Sequence, residues 1–433
     1  MQLKSIVLHI GLWILPAVAI AQKEIKQDEV ARIVKALSAD DMQGRQIFTE
    51  GIEKASAFIL NEFQKIGLDP MEGYEGYEQK FVVFSSIIDE ASVRINGIKI
   101  DQTHALIQSE QSEILWDSPE DIKLINIKKE DDFRKRHTEI SSEKGNHLVL
   151  VDPEHKEIFD KYRSYYSGPK ILIEGNEKEH SNIFILSNVV SVSELEAHVL
   201  FQREEKVLKN IIGVIPGKAK RKDYVVFSAH YDHLGILPAV EGDSLANGAD
   251  DNASGTTAVI SLARYFANRP QPERTLVFVA FTAEEIGLVG STYFSQRIDP
   301  ASIVALINIE MIGTPSKFGA NTAFLTGFDR SNLGTILQKN LQNSKFSIHP
   351  DPYPDFNLFY RSDNAALARV GVPAHTISSS QIDQDENYHT VNDEFENLNL
   401  SHLTTMIRGI AESVTSIING KETPTRIDPS TVR

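Results

Sequence analysis

Three apolar runs in the second half of the chain predict strands that are buried on both faces of a sheet. These runs span residues 224–229, 275–281 and 303–309. Continuous apolar runs of this length are typical of parallel strands that helices cover on both sides. The pattern therefore predicts a sheet at the centre of the fold.

Helical patterns surround and separate these strands. Apolar residues recur at helical spacing between residues 26 and 67, and Gly67 is predicted to end the second of two helices there. Further helices are predicted at residues 254–268, 287–297, 331–344, 362–370 and 403–418. Strands that alternate with helices in this way predict an α/β protein with three α/β/α layers and a mixed, mostly parallel sheet.

The pattern changes between residues 86 and 203. Short alternating runs are separated there by charged stretches, which predicts a strand-rich inserted module that serves as an accessory domain or a lid. The main domain then consists of residues 22–85 and 204–420. Residues 421–433 are predicted to form a loose tail.

The amino terminus has the pattern of a secretory signal. Lys4 precedes an apolar core, and the small-residue sequence Ala-Ile-Ala ends at Ala21, where we predict cleavage. The apolar stretch is shorter than the ~20 residues that span a bilayer, and no later segment reaches that length. We therefore expect a secreted or periplasmic protein with residues 1–21 removed and no membrane span.

The amino-acid composition excludes several kinds of catalysis and metal binding. The chain has no cysteine, so a disulfide framework and thiol catalysis are excluded, and any metal must be held by nitrogen and oxygen. The formal net charge of -16 works against nucleic acid as a partner.

Each buried run is followed by residue types that bind metals. His230 follows the first run, and Asp250 lies in a glycine-bounded segment further on. Glu285 follows the second run and Glu310 follows the third. Ligands of such sheets gather at the carboxyl ends of the strands, and zinc takes imidazole nitrogen and carboxylate oxygen. Together with His389, these residues could provide two zinc sites.

The adjacent residues Glu284 and Glu285 could perform two different tasks. One carboxylate can bind metal while its neighbour stays free to move protons. Taken singly, each of these candidates has a simpler explanation as a surface carboxylate, a helix cap or a hydrogen-bonded histidine. Their joint occurrence, in this order and at strand ends, favours metal chemistry.

These segments resemble the di-zinc exopeptidase family, which contains bacterial secreted aminopeptidases, glutamate carboxypeptidases and glutaminyl cyclases. The resemblance covers residues 207–418 well and 26–84 more weakly. It rests on His-Tyr-Asp-His-Leu-Gly at 230–235, the segment 248–255, Thr-Ala-Glu-Glu at 282–285, Asn-Ile-Glu-Met-Ile-Gly at 308–313, Ser-Asp at 362–363 with Gly-Val-Pro-Ala at 371–374, and Tyr-His-Thr at 388–390.

The resemblance implies two zinc sites that share one carboxylate. Asp250 would bridge the two ions. His230 and Glu310 would complete one site, and Glu285 and His389 would complete the other.

It also implies roles for three further residues. Glu284 would be the general base. Asp232 would orient His230 as a neighbouring carboxylate, and Tyr388 would point its hydroxyl at the developing oxyanion.

Two details of the resemblance bear on the first zinc site. Many members of the family carry Asp where this chain has Glu310, so the extra methylene must be absorbed by a backbone shift or a different mode of binding. The family's cis peptide bond would fall between Asp250 and Asp251.

The resemblance implies a secreted zinc-dependent aminopeptidase that hydrolyses amino-terminal residues from peptides, with two zinc ions per chain. The metals and the base do not reveal which end of the peptide is recognised, so a zinc carboxypeptidase of the same family is also compatible with these residues. Two further candidates are a single-zinc glutaminyl cyclase, which the full ligand set argues against, and a binding protein on the same scaffold.

Overall fold

The computed structural model describes residues 24–433, and the predicted signal at residues 1–21 lies outside them. The α-helices are α1 (Gln27–Leu37), α2 (Glu50–Ile66), α3 (Phe133–Ser142), α4 (Lys156–Ser167), α5 (Gly255–Ala267), α6 (Val289–Arg297), α7 (Leu333–Asn340), α8 (Asn364–Ala368), α9 (Leu400–Ser413) and α10 (Thr415–Ile418).

The strands include each of the three apolar runs. They are β1 (Glu78–Ile95), β2 (Ile98–Lys99), β3 (Ala105–Ser109), β4 (Glu113–Trp116), β5 (Lys123–Ile127), β6 (His147–Val151), β7 (Lys170–Ile173), β8 (Ser181–Leu186), β9 (Leu195–Ile215), β10 (Lys220–His230), β11 (Gly235–Val240), β12 (Asp243–Ala246), β13 (Arg274–Phe281), β14 (Ile303–Ile309), β15 (Thr322–Leu325), β16 (Ser347–Pro350) and β17 (Ala374–Ser378).

A large mixed sheet forms the centre of the fold. Its order is β16-β15-β17-β14-β10-β13-β9-β1-β2, with β4 and β7 paired to β9 and β1. The neighbours β17, β14, β10 and β13 are parallel, whereas β9 and β1 continue the sheet in antiparallel fashion. The prediction of a mixed sheet with buried parallel strands is therefore confirmed.

Alternate residues of the central strands face two different helical layers. Val225 and Phe227 of β10 pack in a core with α1, α2, α5, α7 and α9. Val226, between them, packs on the opposite face with residues of α6 and α8. Side chains of a strand point alternately to its two faces, so this division gives the three predicted layers.

The module at residues 86–203 is built on the outer parts of β1 and β9, which pair along almost their whole length. A second sheet of order β3-β8-β6-β5 lies beside them. One face of this small sheet packs on β1 and β9, and the other packs on α3 and α4. The alternating sequence pattern did not predict these two helices.

The carboxyl-terminal segment is packed against the main domain, so the prediction of a loose tail is wrong. Ile427 is only 1% exposed and belongs to the core beneath α8. The buried guanidinium of Arg274 donates to the carbonyl of Glu422 at 2.7 Å and to Thr423 Oγ1 at 2.6 Å. Two prolines and a polar composition concealed these anchors.

Within residues 24–433, no helix combines the length and the apolar character that crossing a membrane requires.

Replacing Ile427 by Ala tests the packing of this segment. We expect the free energy of unfolding to fall by about 2–5 kcal/mol, because the change leaves a cavity in a filled core. Denaturant unfolding measures this. The control Val190→Ala, at a side chain that is 88% exposed, should change it by less than about 0.5 kcal/mol. Equal effects of the two changes would contradict the packing.

Candidate metal and catalytic site

The candidate residues meet at one edge of the central sheet. His230 ends β10, Glu284 and Glu285 follow β13, and Glu310 follows β14. Because these three strands are parallel, their carboxyl ends lie side by side. The fold therefore converts three distant sequence segments into one cluster.

Asp251 lies at the centre of this cluster. Its Oδ1 is 3.2 Å from His230 Nε2, and its Oδ2 is 3.2 Å from His389 Nε2. The two oxygens of one buried carboxylate thus face two different imidazoles. This is the arrangement of a carboxylate that can bridge two metal ions.

Glu310 and Glu285 each lie beside the histidine with which the sequence analysis paired them. His230 Nε2 lies 3.0 Å from Glu310 Oε1. His389 Nε2 lies 3.2 Å from Glu285 Oε2. Among residues 24–433, the side chains of His230, Asp251 and Glu285 offer metal-binding atoms that all lie within 4.8 Å of one another.

The structure does not place Asp250 in this cluster, which corrects the prediction that it is the bridge. The Asp250 carboxylate accepts from Gly313 N at 2.7 Å and from Thr314 Oγ1 at 3.2 Å. The cis peptide bond is likewise one position later than expected, between Asp251 and Asn252. In a doublet of identical residues the sequence did not show which one faces the histidines.

The pKa values of Asp250 and Asp251 are shifted in opposite directions. Burial raises the pKa of Asp250 to about 7. Burial also acts on Asp251, but hydrogen bonds from His230 and His389 hold its pKa well below the usual value. Asp251 is therefore the carboxylate that stays ionised among the imidazoles.

A chain of buried hydrogen bonds holds Glu310. Ser362 Oγ donates to Glu310 Oε2 at 2.7 Å, and Asn308 Nδ2 donates to Ser362 Oγ at 2.7 Å. Ser228 Oγ in turn donates to Asn308 Oδ1 at 2.9 Å. The side chain of Glu310 thus reaches His230 in a fixed position despite its extra methylene.

Asp232 contacts both His230 and the turn that carries Glu284 and Glu285. Its carboxylate accepts from the backbone N–H groups of Glu284 at 3.1 Å and Glu285 at 3.3 Å. His230 Nδ1 lies 3.1 Å from the backbone carbonyl of Asp232 but 3.8 Å from its carboxylate. The contact that orients His230 is therefore the Asp232 carbonyl, while the carboxylate positions the Glu284–Glu285 turn.

Glu284 lines the cavity beside the histidines, with Met311, Tyr388 and other residues. Burial raises its pKa well above the usual value, and the nearby carboxylates of Glu310 and Asp363 raise it further. A carboxyl group that readily takes a proton is suited to general acid–base chemistry.

Tyr388 lies at the rim of the same cavity. Its ring stacks on the ring of His389 at 3.9 Å, and its hydroxyl accepts from Arg361 Nη2 at 3.2 Å. Burial raises the pKa of this hydroxyl, which therefore keeps its proton and remains a hydrogen-bond donor.

Sequence reasoning missed His233. Its Nδ1 lies 2.7 Å from Glu285 Oε1, so Glu285 contacts one imidazole with each oxygen. Its Nε2 is buried without a hydrogen-bond partner among residues 24–433. The available signal was its place three residues after His230 in the same segment.

The donor set fits a pair of metal ions. Each half offers an imidazole nitrogen and carboxylate oxygens, which are ligands of zinc and similar divalent ions. Although burial opposes protonation, hydrogen bonds to Asp251 and Glu285 raise the pKa of His389 to about 10. The pKa of His230 is also raised, by Glu310 and its other acidic neighbours. Both imidazoles therefore lie in surroundings of negative charge, which favour the binding of a cation between imidazole and carboxylate.

This fold, with paired histidine–carboxylate clusters at strand ends, provides the donor arrangement that metal-dependent hydrolysis requires. Residues 210–414 match the sequence profile of Peptidase family M28. These residues form a domain of that family.

Two relatives match part of this chain in sequence. Aminopeptidase YwaD of Bacillus subtilis is 31% identical over 140 residues, which are 29% of this chain and 29% of that protein. A probable zinc metalloprotease of Pyrenophora tritici-repentis is 37% identical over 154 residues, 33% of each chain. The chain thus spans about a third of the length of these relatives.

The structure of BSAP, a zinc aminopeptidase from Bacillus subtilis, superimposes with a TM-score of 0.55 at 17% identity, covering 92% of this chain and 97% of that one. At this identity the likeness shows the fold.

A pair of substitutions distinguishes the two aspartates. Asp251→Asn should weaken zinc binding by more than about 100-fold, because the amide leaves one uncharged oxygen where two carboxylate oxygens face the two imidazoles. Asp250→Asn should weaken it by less than about tenfold, since its contacts with Gly313 and Thr314 are outside the cluster. Competition with a fluorescent chelator measures both affinities, and the reverse order would restore Asp250 as the bridge.

Proposed function

We propose that the protein is a secreted or periplasmic zinc aminopeptidase that removes the first residue of peptides with two zinc ions. The observation that carries this proposal is the position of Asp251 between two histidine–carboxylate pairs, with Glu284 beside them. The names of the relatives support zinc and aminopeptidase activity. The signal pattern at residues 1–21 supports export.

The five clustered side chains would hold the metals. His230 and Glu310 would bind one ion, His389 and Glu285 the other, and Asp251 would bridge them. When bound, the zinc ions would lower the pKa of a nearby water and polarise the scissile carbonyl. The sharing of one carboxylate is what favours two ions over one, and it argues against a single-zinc cyclase.

Glu284 moves the protons in this proposal. It accepts a proton from the attacking water and then donates it to the amine that leaves. Asp232 holds the backbone of Glu284 while this occurs. Tyr388, kept protonated and fixed by Arg361, donates a hydrogen bond to the oxyanion that forms on the carbonyl.

The cavity next to the metals favours an apolar first residue. Its lining includes the side chains of Met311, Phe324, Leu358 and Ile382. Apolar side chains gain free energy by leaving water for such surroundings. We therefore propose substrates whose amino-terminal residue is apolar.

One peptide in two forms tests the direction of cleavage. A short peptide that begins with leucine should lose that residue when its amino terminus is free and should resist when the terminus is acetylated. Mass spectrometry of the products, with zinc in the buffer, measures this. Cleavage of both forms at the carboxyl end would favour a carboxypeptidase, and cleavage of neither would contradict the proposal.

Replacing Glu284 by Gln tests its role as the base. We expect kcat to fall by about 10²- to 10⁴-fold, because the amide cannot carry the proton. Zinc content should stay at the wild-type value, since this side chain is not among the proposed ligands. Metal analysis and steady-state kinetics measure the two effects, with Glu386→Gln, at an exposed carboxylate, as the active control. Loss of zinc would show that Glu284 is a ligand instead.

A further inference from the structure

Arg45 comes from the amino-terminal part of the chain and is buried beneath the candidate site. It is only 1% exposed. It follows Gly44, where an added Cβ would lie 2.5 Å from the carbonyl oxygen of Ala246. The close approach of this turn to the strand that ends at Ala246 brings the arginine under the metal-binding loops.

The guanidinium of Arg45 binds only backbone carbonyls. Nε donates to Tyr231 O at 2.9 Å. Nη1 donates to Leu37 O at 2.7 Å and to Asn247 O at 2.5 Å. Nη2 donates to Gly248 O at 2.8 Å, with a longer contact of 3.4 Å to Asp251 O. All its N–H groups are thereby directed at carbonyl oxygens.

Most of these carbonyls belong to the backbone that carries the proposed ligands. Tyr231 lies between His230 and Asp232. Gly248 and Asp251 delimit the loop whose last residue is the proposed bridge. In addition, the Arg45 carbonyl accepts from His233 N at 3.2 Å. One side chain therefore joins the His230 segment to the Asp251 loop.

Asp393 holds the same loop from its N–H side. Its Oδ1 accepts from Asp250 N and its Oδ2 from Asp251 N, both at 2.8 Å. Its backbone carbonyl accepts from Ala249 N at 3.0 Å. The loop is thus held by a buried guanidinium on its carbonyls and a buried carboxyl group on its amides.

We propose that Arg45 and Asp393 are positioning residues that form a backbone clamp, setting the place of the Asp251 carboxylate between the two metal ions. This inference rests on the proposed function for its kinetic part. Neither residue need touch metal or substrate. Their effect passes through the loop at residues 247–251.

The direction in which metal affinity changes when Arg45 is removed distinguishes a positioning role from a purely electrostatic one. The Arg45 cation lies near several carboxylates, and removing a positive charge from a cation site should by itself strengthen metal binding. If Arg45 acts by positioning, its removal should weaken metal binding instead. Outer groups that orient metal ligands typically change affinity by about 10- to 100-fold.

The test uses Arg45→Gln, Arg45→Lys and Asp393→Asn in the full chain. Lysine keeps the charge but loses the planar fork of donors, and asparagine keeps one acceptor oxygen of the two. Arg274→Gln is the matched control. Arg274 is also 1% exposed and also donates to backbone carbonyls, those of Ile417 and Glu422, in the carboxyl-terminal segment.

Zinc affinity, the absorption spectrum of the cobalt-loaded protein, and thermal unfolding are measured for each variant. Arg45→Gln and Asp393→Asn should bind zinc about 10- to 100-fold more weakly and alter the cobalt spectrum. Arg45→Lys should fall between them and the wild type. Arg274→Gln should lower the unfolding temperature while leaving zinc affinity and the cobalt spectrum unchanged.

Three outcomes would overturn the clamp. Arg45→Gln could bind zinc as tightly as the wild type, or more tightly, which would make Arg45 a structural or electrostatic residue. Arg274→Gln could weaken zinc binding equally, which would make the effect one of general stability. Arg45→Lys could equal the wild type in every measurement, which would leave no role for the forked contacts.

Kinetics separate failure of the clamp from failure of the proposed function. In an active wild type, Arg45→Lys at saturating zinc should lower kcat by up to about 100-fold and change KM much less, since a shift of about 1 Å in a catalytic group has this effect. If the wild type binds zinc but cleaves no peptide, the proposed function fails while the affinity and spectral comparisons still decide on the clamp.

Discussion

The site depends on keeping one carboxylate between two imidazoles in a region that also contains several other buried acids. Asp251 can do this only if its loop is fixed, because each of its two oxygens must stay against a different imidazole. The contacts of Arg45 and Asp393 with that loop are made to backbone atoms. They therefore act on the geometry of the loop rather than on its side-chain chemistry.

Charge balance gives a second reason for these contacts. An uncompensated buried carboxylate costs several kcal/mol, and Asp232, Asp251 and Glu285 all lie near Arg45 here. Burial lowers the pKa of Arg45 to about 10, yet the group still carries its charge near neutral pH. Its cation offsets part of the charge of these acids, and metal ions bound between the histidines and carboxylates would offset more.

The sequence was most informative where local pattern and position agree. Parallel strands buried on both faces are mostly apolar, so His230 and Glu310 were visible directly after the first and third runs, and Glu285 four residues after the second. Pattern could not decide between Asp250 and Asp251, because the choice depends on which carboxylate the folded loop directs to His230 and His389 and which it directs to Gly313. It also could not show Arg45, since an isolated arginine in a loop resembles any solvated one.

The same limits explain the errors elsewhere in the fold. The polar segment after Gly420 lacks the periodicity of a packed element, yet Ile427 and the donors of Arg274 fix it to the domain. In both places a buried arginine binds carbonyls of a segment distant in sequence. Such contacts carry no local signature, because the acceptor is the backbone and any residue can supply it.

Because Arg45 binds backbone carbonyls of the loop at residues 247–251, the packing of the amino-terminal helices affects the geometry of the site. Arg45 precedes α2, so the first helices are not only a cover for the sheet but also contribute the group that orders the loop at residues 247–251. The proposed ligands at the strand ends are positioned by the sheet itself, whereas the Asp251 carboxylate also depends on this tertiary contact. A metal pair that shares Asp251 would then form only when the amino-terminal helices have packed, which couples metal binding to completion of the main domain.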